Sequence, residues 1–163
     1  MARARPIPGF AESASFAEAA ARTVEVRAGE VFEHASGVTD VSDIERVHDM
    51  RVATRRLRAA LEVYAPCFPK REHRRALKQV KALADSLGER RDRDVAIAGF
   101  ERAKRALTPA ERPGVASLVD ELRSEQAAAN DVVAAAVERI AADGLHERLL
   151  ALAAAAAAAG AAA

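Results

Sequence analysis

The sequence predicts an all-α protein: an antiparallel helical bundle of four main helices plus shorter or split C-terminal helices. Three observations lead there. Apolar residues recur at steps of three and four, helix-start signals appear three times in the same form, and no stretch alternates with the period of two that marks a strand. Composition agrees. Half of the 163 residues are apolar, much of that alanine, with five Phe, one Tyr and no Trp, as in a soluble Ala-rich helical domain.

Residues 1–14 read as an N-terminal extension. Its arginines are followed by no apolar h-region, so no signal peptide is expected. Residues 15–152 form a single bundle and 153–163 a poly-Ala tail. The first helix, 15–36, opens on Ser15-Phe-Ala-Glu18, a capping box in which hydroxyl and carboxylate satisfy orphan backbone N–H groups reciprocally, and stops at Gly37. The second, 42–65, opens on Ser42-Asp-Ile-Glu45 and carries a seam of Val47, Met50, Thr54, Leu57, Leu61 and Tyr64 before Pro66-Cys-Phe-Pro69 ends it. The third, 70–87, repeats Ala76, Val80, Leu83 and Leu87 and is expected to end at Gly88. A fourth, 90–107, then has Asp92 and Asp94 in its first turn, where the helix dipole favours carboxylates. The fifth, 115–142, follows the box Thr108-Pro-Ala-Glu111 and a Pro113-Gly114 interruption, with Val115, Leu118, Leu122, Ala129, Ala136 and Ile140 as its seam. After Gly144 a last helix runs from 145 to about 159. Its alanines favour helix but offer little surface to bury, so fraying is expected.

A formal net charge of +1 hides an uneven distribution. Residues 1–47 hold 5 basic and 8 acidic side chains, 48–105 hold 16 and 8, and 106–163 hold 4 and 8. The basic centre lies between acidic ends. Cys67 is the only cysteine; it reads as a small apolar side chain beside Phe68, and a reducing compartment is the simplest inference. The last uncharged stretch is too short and too weakly apolar to span a membrane. A cytoplasmic location is the expectation.

On a helical wheel His48, Arg51, Arg55 and Arg58 form one ridge beside the apolar seam of the second helix, whereas Arg56 turns away, to about 180° from Val47. Like charges at i, i+4 and i+7 cost stability and ask for a counter-charge. Two sources stay open at this point: acidic neighbours within the bundle, or a bound anion. The third helix repeats the spacing with Arg74, Lys78 and Lys81. Two basic ridges on adjacent helices define a groove suited to a linear polyanion, since guanidinium forks grip phosphate oxygens in pairs and lysines add point charges.

These residues resemble the conserved histidine α-helical domain, or CHAD, family. Its signature H-x-x-R-V-x-x-R-R-L-R is matched by His48-Asp-Met-Arg51-Val-Ala-Thr-Arg55-Arg56-Leu-Arg58. Its later L-G-x-x-R-D-x-D-V is matched by Leu87-Gly88-Glu-Arg-Arg91-Asp92-Arg-Asp94-Val95. The resemblance implies a non-catalytic helical protein that binds inorganic polyphosphate, with targeting to polyphosphate granules as one expected use, and with Arg51, Arg55, Arg56, Arg58, Lys78, Lys81 and Arg91 as ligands and His48 as a nearby donor. Family members usually carry a second copy of the motif helix, and none follows Arg105. A half-length member or a fragment is therefore expected, with a homodimer as one way to complete the groove.

Other functions are weaker expectations. No catalytic triad order, Gly-rich phosphate loop or zinc-protease motif is present, so no enzyme is expected. No metal and no cofactor are expected, because His34, His48, His73 and His146 lie far apart and arginines surround His48. Nucleic acid is disfavoured by the near-neutral charge and the lack of aromatics for stacking bases. A structural or granule-coating bundle with no ligand, or sequence-independent nucleic-acid binding, remains the alternative.

Overall fold

The computed structural model describes residues 3–9 and 14–161. Its helices are α1 (Phe16–Ala35), α2 (Ile44–Val63), α3 (Lys70–Lys104), α4 (Arg112–Ala142) and α5 (Leu145–Ala161), with a single 3₁₀ turn at Ala65–Cys67 between α2 and α3. No strand occurs among the described residues. Neighbours in sequence are neighbours in space: α1 packs on α2, α2 on α3 and α3 on α4, while α5 returns to lie along α1. Short connections between long helices impose this antiparallel order.

The two predicted central seams are the observed ones. Val47, Met50, Thr54, Leu57 and Leu61 of α2 and Ala76, Val80, Leu83 and Leu87 of α3 are all buried, whereas Tyr64, expected as the last seam residue, stands just past the end of α2 and is half-buried against the core. Leu145, Leu149 and Leu152 of α5 join them in one core. Thr54 satisfies its buried hydroxyl by donating to Met50 O at 2.8 Å, and His73 Nε2 donates to Leu61 O at 2.8 Å, tying the start of α3 to the end of α2. Cys67 packs against this core, half-buried, and burial pushes its thiol above the ordinary value.

Two glycine stops stand where expected. Gly37 and Gly144 have φ of 71° and 63°, the left-handed geometry that ends a helix at low cost only for glycine. Gly88 does not stop its helix. It lies within α3, which runs unbroken for 35 residues, about 52 Å. A mid-helix glycine costs only about 1 kcal/mol relative to alanine, and buried Leu83, Leu87 and Arg90 on either side hold the helix through it. Asp92 and Asp94 are consequently mid-helix and cap nothing.

The capping signals were realised unevenly. At α1 both arms of the box form: Glu18 N donates to Ser15 Oγ at 3.2 Å and Ser15 N to Glu18 Oε2 at 2.8 Å. At α2 the cap is Asp43, which accepts from Glu45 N at 3.2 Å; Ser42 is occupied with Asp40 instead, at 2.9 Å from its N–H and 2.7 Å from its hydroxyl. Thr108 donates to Glu111 through both backbone and hydroxyl, but α4 begins only at Arg112, with Pro113 in its first turn. That is the position where a missing N–H costs nothing, so Pro113-Gly114 starts the helix and does not interrupt it.

The seam of α4 also differs. Its buried residues are Val119, Val133 and Ile140, and Leu118, an expected core residue, is 37 % exposed. Positions 119, 126, 133 and 140 are one heptad apart, and Gln126 occupies the second. A polar residue in the seam concealed the apolar period. The poly-Ala tail, expected to fray, is helical through Ala161 and buries Ala153 and Ala156 against α1; residues 162–163 of it, like 1, 2 and 10–13 of the N-terminal extension, lie outside the described residues. Gly160 meets α1 so closely that an added Cβ would stand 2.8 Å from Ser15 Oγ. Alanine and glycine lack the bulk to fill a core, but they allow close helix approach, which is what α1 and α5 use.

Candidate functional site

Helices α2 and α3 run side by side with a groove of about 370 Å³ between them. One wall is the ridge Arg51, Arg55 and Arg58 of α2; the other is Asp85, Glu89 and Asp92 of α3; Ala84 and Gly88 form the floor. Three cations thus face three carboxylates at the same i, i+3/i+4, i+7 rhythm. The counter-charge that the ridge demands is partly internal. Yet the walls do not close on each other. No ion pair crosses the groove between these six residues: Arg58 pairs along its own helix with Glu62 at 3.1 Å, Glu89 pairs with Arg93 at 2.6 Å, and no described residue hydrogen-bonds or ion-pairs with Arg51 or Arg55.

Asp85 also belongs to a second hollow, about 420 Å³, lined by Arg74, Leu77, Lys78, Lys81 and Ala82. The two are parts of one track along α3. Glu62 stands at their junction and accepts from both Arg58 Nε at 3.1 Å and Lys81 Nζ at 3.2 Å. Those hydrogen bonds, Arg58 first, hold its carboxyl below the ordinary range. Glu62 is the point where the cations of α2 and α3 are clamped together.

A family model described as the CHAD domain matches residues 22–163. The chain belongs to the CHAD family. The match covers nearly the whole chain and includes the alanine tail. CHAD domains are associated in general with polyphosphate. No curated protein matches the chain.

Of the residues singled out from the sequence, this CHAD domain brings Arg51, Arg55 and Arg58 to the groove and Arg74, Lys78 and Lys81 to the adjoining hollow on α3, so the two basic ridges do not face each other across one groove: the wall opposite the arginines is acidic. Three others stand elsewhere. Arg56 faces α1, near enough to buried Glu30 for its charge to act on that carboxyl, in keeping with its place on the wheel. Arg91 points toward the start of α2, donating to Ile44 O at 3.1 Å and pairing with Glu45 at 3.4 Å; it fixes where α2 begins and does not line the groove. His48 lies one turn before Arg51, outside the lining. Ligating atoms of Glu45, His48 and Asp49 all fall within 4.8 Å of one another, a grouping the histidine spacing alone did not suggest, but Glu45 is engaged by Arg91.

The sequence reading missed Arg90. It and Asp94 are both fully buried and form an i, i+4 ion pair. Asp94 also accepts from Gln126 Nε2 at 2.7 Å, and Arg90 Nε donates to Asn130 Oδ1 at 3.3 Å. Asn130 in turn donates to Thr39 O at 3.0 Å. This network joins α3, α4 and the α1–α2 connection. Asp94 therefore partners a buried arginine in mid-helix and does not serve a helix N-terminus. The spacing of Arg90 and Asp94 was visible in the sequence, but an i, i+4 pair carries no mark of burial.

A hollow of about 410 Å³ between α1 and α5 is floored by alanines and edged by Glu18, Arg22 and Glu25. It holds no run of like charge. Among the described residues no helix is long and apolar enough to cross a membrane.

Proposed function

We propose that the α2–α3 groove binds inorganic polyphosphate without cleaving it. The observation that supports this most is the state of Arg51 and Arg55: both line an open groove opposite carboxylates, and neither is paired with a described residue. Salt-bridged ridges close up; these remain available to an external anion. Arg58, Lys78, Lys81 and Arg74 extend the positive track. Bare polyphosphate has one negative charge per phosphate and no bases to accommodate, which suits a narrow slot with no aromatic lining better than nucleic acid does.

Recruitment to polyphosphate granules in the cytoplasm follows from such binding, and a second copy of the chain could present a second slot to the same polymer. Titration with long-chain polyphosphate tests the reading. Micromolar or tighter binding that weakens with salt supports it; chain shortening that copurifies with the protein would show an enzyme, and equal displacement by single-stranded DNA would show a general polyanion binder. A protein with no polyanion affinity would be a structural bundle.

A further inference from the structure

Gly88 has no conformational reason to be glycine. Its φ is not positive, it lies inside α3, and a Cβ added there would meet nothing within 4 Å. No neighbouring element approaches closely enough to exclude a side chain, and the residue lowers the stability of the helix around it. What the missing side chain leaves open is the groove itself, because Gly88 forms its floor with Ala84, one turn earlier. Gly99, on the same helix, is also unobstructed but is exposed and outside the groove. The pair separates the two effects of a glycine: loss of helix propensity, common to both, and depth of the slot, which belongs to Gly88 alone.

Depth selects among polyanions. Asp85, Glu89 and Asp92 repel any anion that spreads toward the α3 wall, so a ligand gains most by descending along the arginine wall to the floor. A thin chain of phosphates without substituents can do so; a strand carrying sugars and bases rides higher. We infer that Gly88 is a specificity-determining residue, holding the floor open for an unsubstituted phosphate chain that lies against the α3 backbone.

This rests on the polyphosphate reading, and the test keeps the two apart. Gly88→Ala, Gly88→Leu, Gly99→Ala and Gly99→Leu are titrated with polyphosphate and with single-stranded DNA at fixed salt, and thermal unfolding is recorded for each. Both alanine variants should unfold at a higher temperature than wild type. Only the Gly88 variants should lose polyphosphate affinity, Gly88→Leu by on the order of tenfold or more, with any DNA affinity unchanged. Wild-type affinity in Gly88→Leu would overturn the inference and leave the polyphosphate reading standing. So would an equal loss in Gly99→Leu, or an equal loss of DNA and polyphosphate binding. A wild-type protein that does not bind polyphosphate would overturn both.

Discussion

Asp94→Ala should cost this protein a large part of its stability. Arg90 and Asp94 have side chains with no solvent exposure, and burial already pushes the Arg90 guanidinium below its ordinary value, with the charge of Arg91 adding to the effect. Removing the carboxylate leaves a buried cation whose remaining side-chain partner among the described residues is the Asn130 amide oxygen at 3.3 Å. Breaking one side of such a pair costs about 3–5 kcal/mol, against a total of roughly 5–15 kcal/mol for a domain. The double substitution Arg90→Met/Asp94→Leu removes both charges and refills the space. It leaves Gln126 and Asn130 short of partners, at about 1–3 kcal/mol, and should still be more stable than Asp94→Ala. Urea unfolding followed by circular dichroism measures both, as a shift in midpoint at constant slope. A loss below about 1 kcal/mol for Asp94→Ala, or a double variant as unstable as the sum of its two singles, would refute the reasoning.

Glu62→Gln should free Arg58 and Lys81 from their shared counter-charge and raise polyphosphate affinity by about three- to tenfold at low salt, the gain fading as salt screens the site; weaker binding would show that Glu62 positions the cations and does not compete for them. Acid stability tests Glu30. Burial alone raises its pKa, but the hydrogen bonds from Arg5 N–H and Arg27, with the charges of Arg27 and Arg56, outweigh that and hold it below the ordinary value. A depressed folded pKa gives stability that is present above the unfolded pKa and lost as pH falls toward the folded one. Glu30→Gln should therefore be less stable at neutral pH and lose less between about pH 5 and 3, as read from thermal midpoints across that range; parallel curves for the two proteins would contradict the assignment.

Much of this was legible in the sequence where one physical term dominated. The seams of α2 and α3 could be read because apolar burial alone sets their period, and the ridge Arg51, Arg55 and Arg58 because like charges at helical spacing need an explanation. Legibility failed where two terms competed. At Gly88 a local stop signal met the packing of Leu83, Leu87 and Arg90, and packing prevailed. In α4 the seam carries Gln126, which pairs with a buried carboxylate, so the hydrophobic period slipped to Leu118. For the alanine tail, propensity was clear but the close approach to α1 was not, since it depends on Gly160 meeting Ser15 and Glu18. Arg56 and Arg91 match the family motif as well as Arg55 does. Only the arrangement of the helices separates residues that line the groove from those that face α1 or the start of α2.

The most direct test of the central claim is polyphosphate binding by wild type and by the Arg51→Ala/Arg55→Ala/Arg58→Ala triple variant at two salt concentrations, with unfolding measured alongside. The triple should stay folded with stability near that of wild type, since relief of repulsion along α2 is set against loss of the exposed Arg58–Glu62 pair and of the cations facing Asp85, Glu89 and Asp92. The groove account predicts a loss of about tenfold in affinity per arginine and a log–log salt slope smaller by about 2, the value for three single-strand phosphate contacts. A triple variant that binds polyphosphate with wild-type affinity and wild-type salt slope would contradict it.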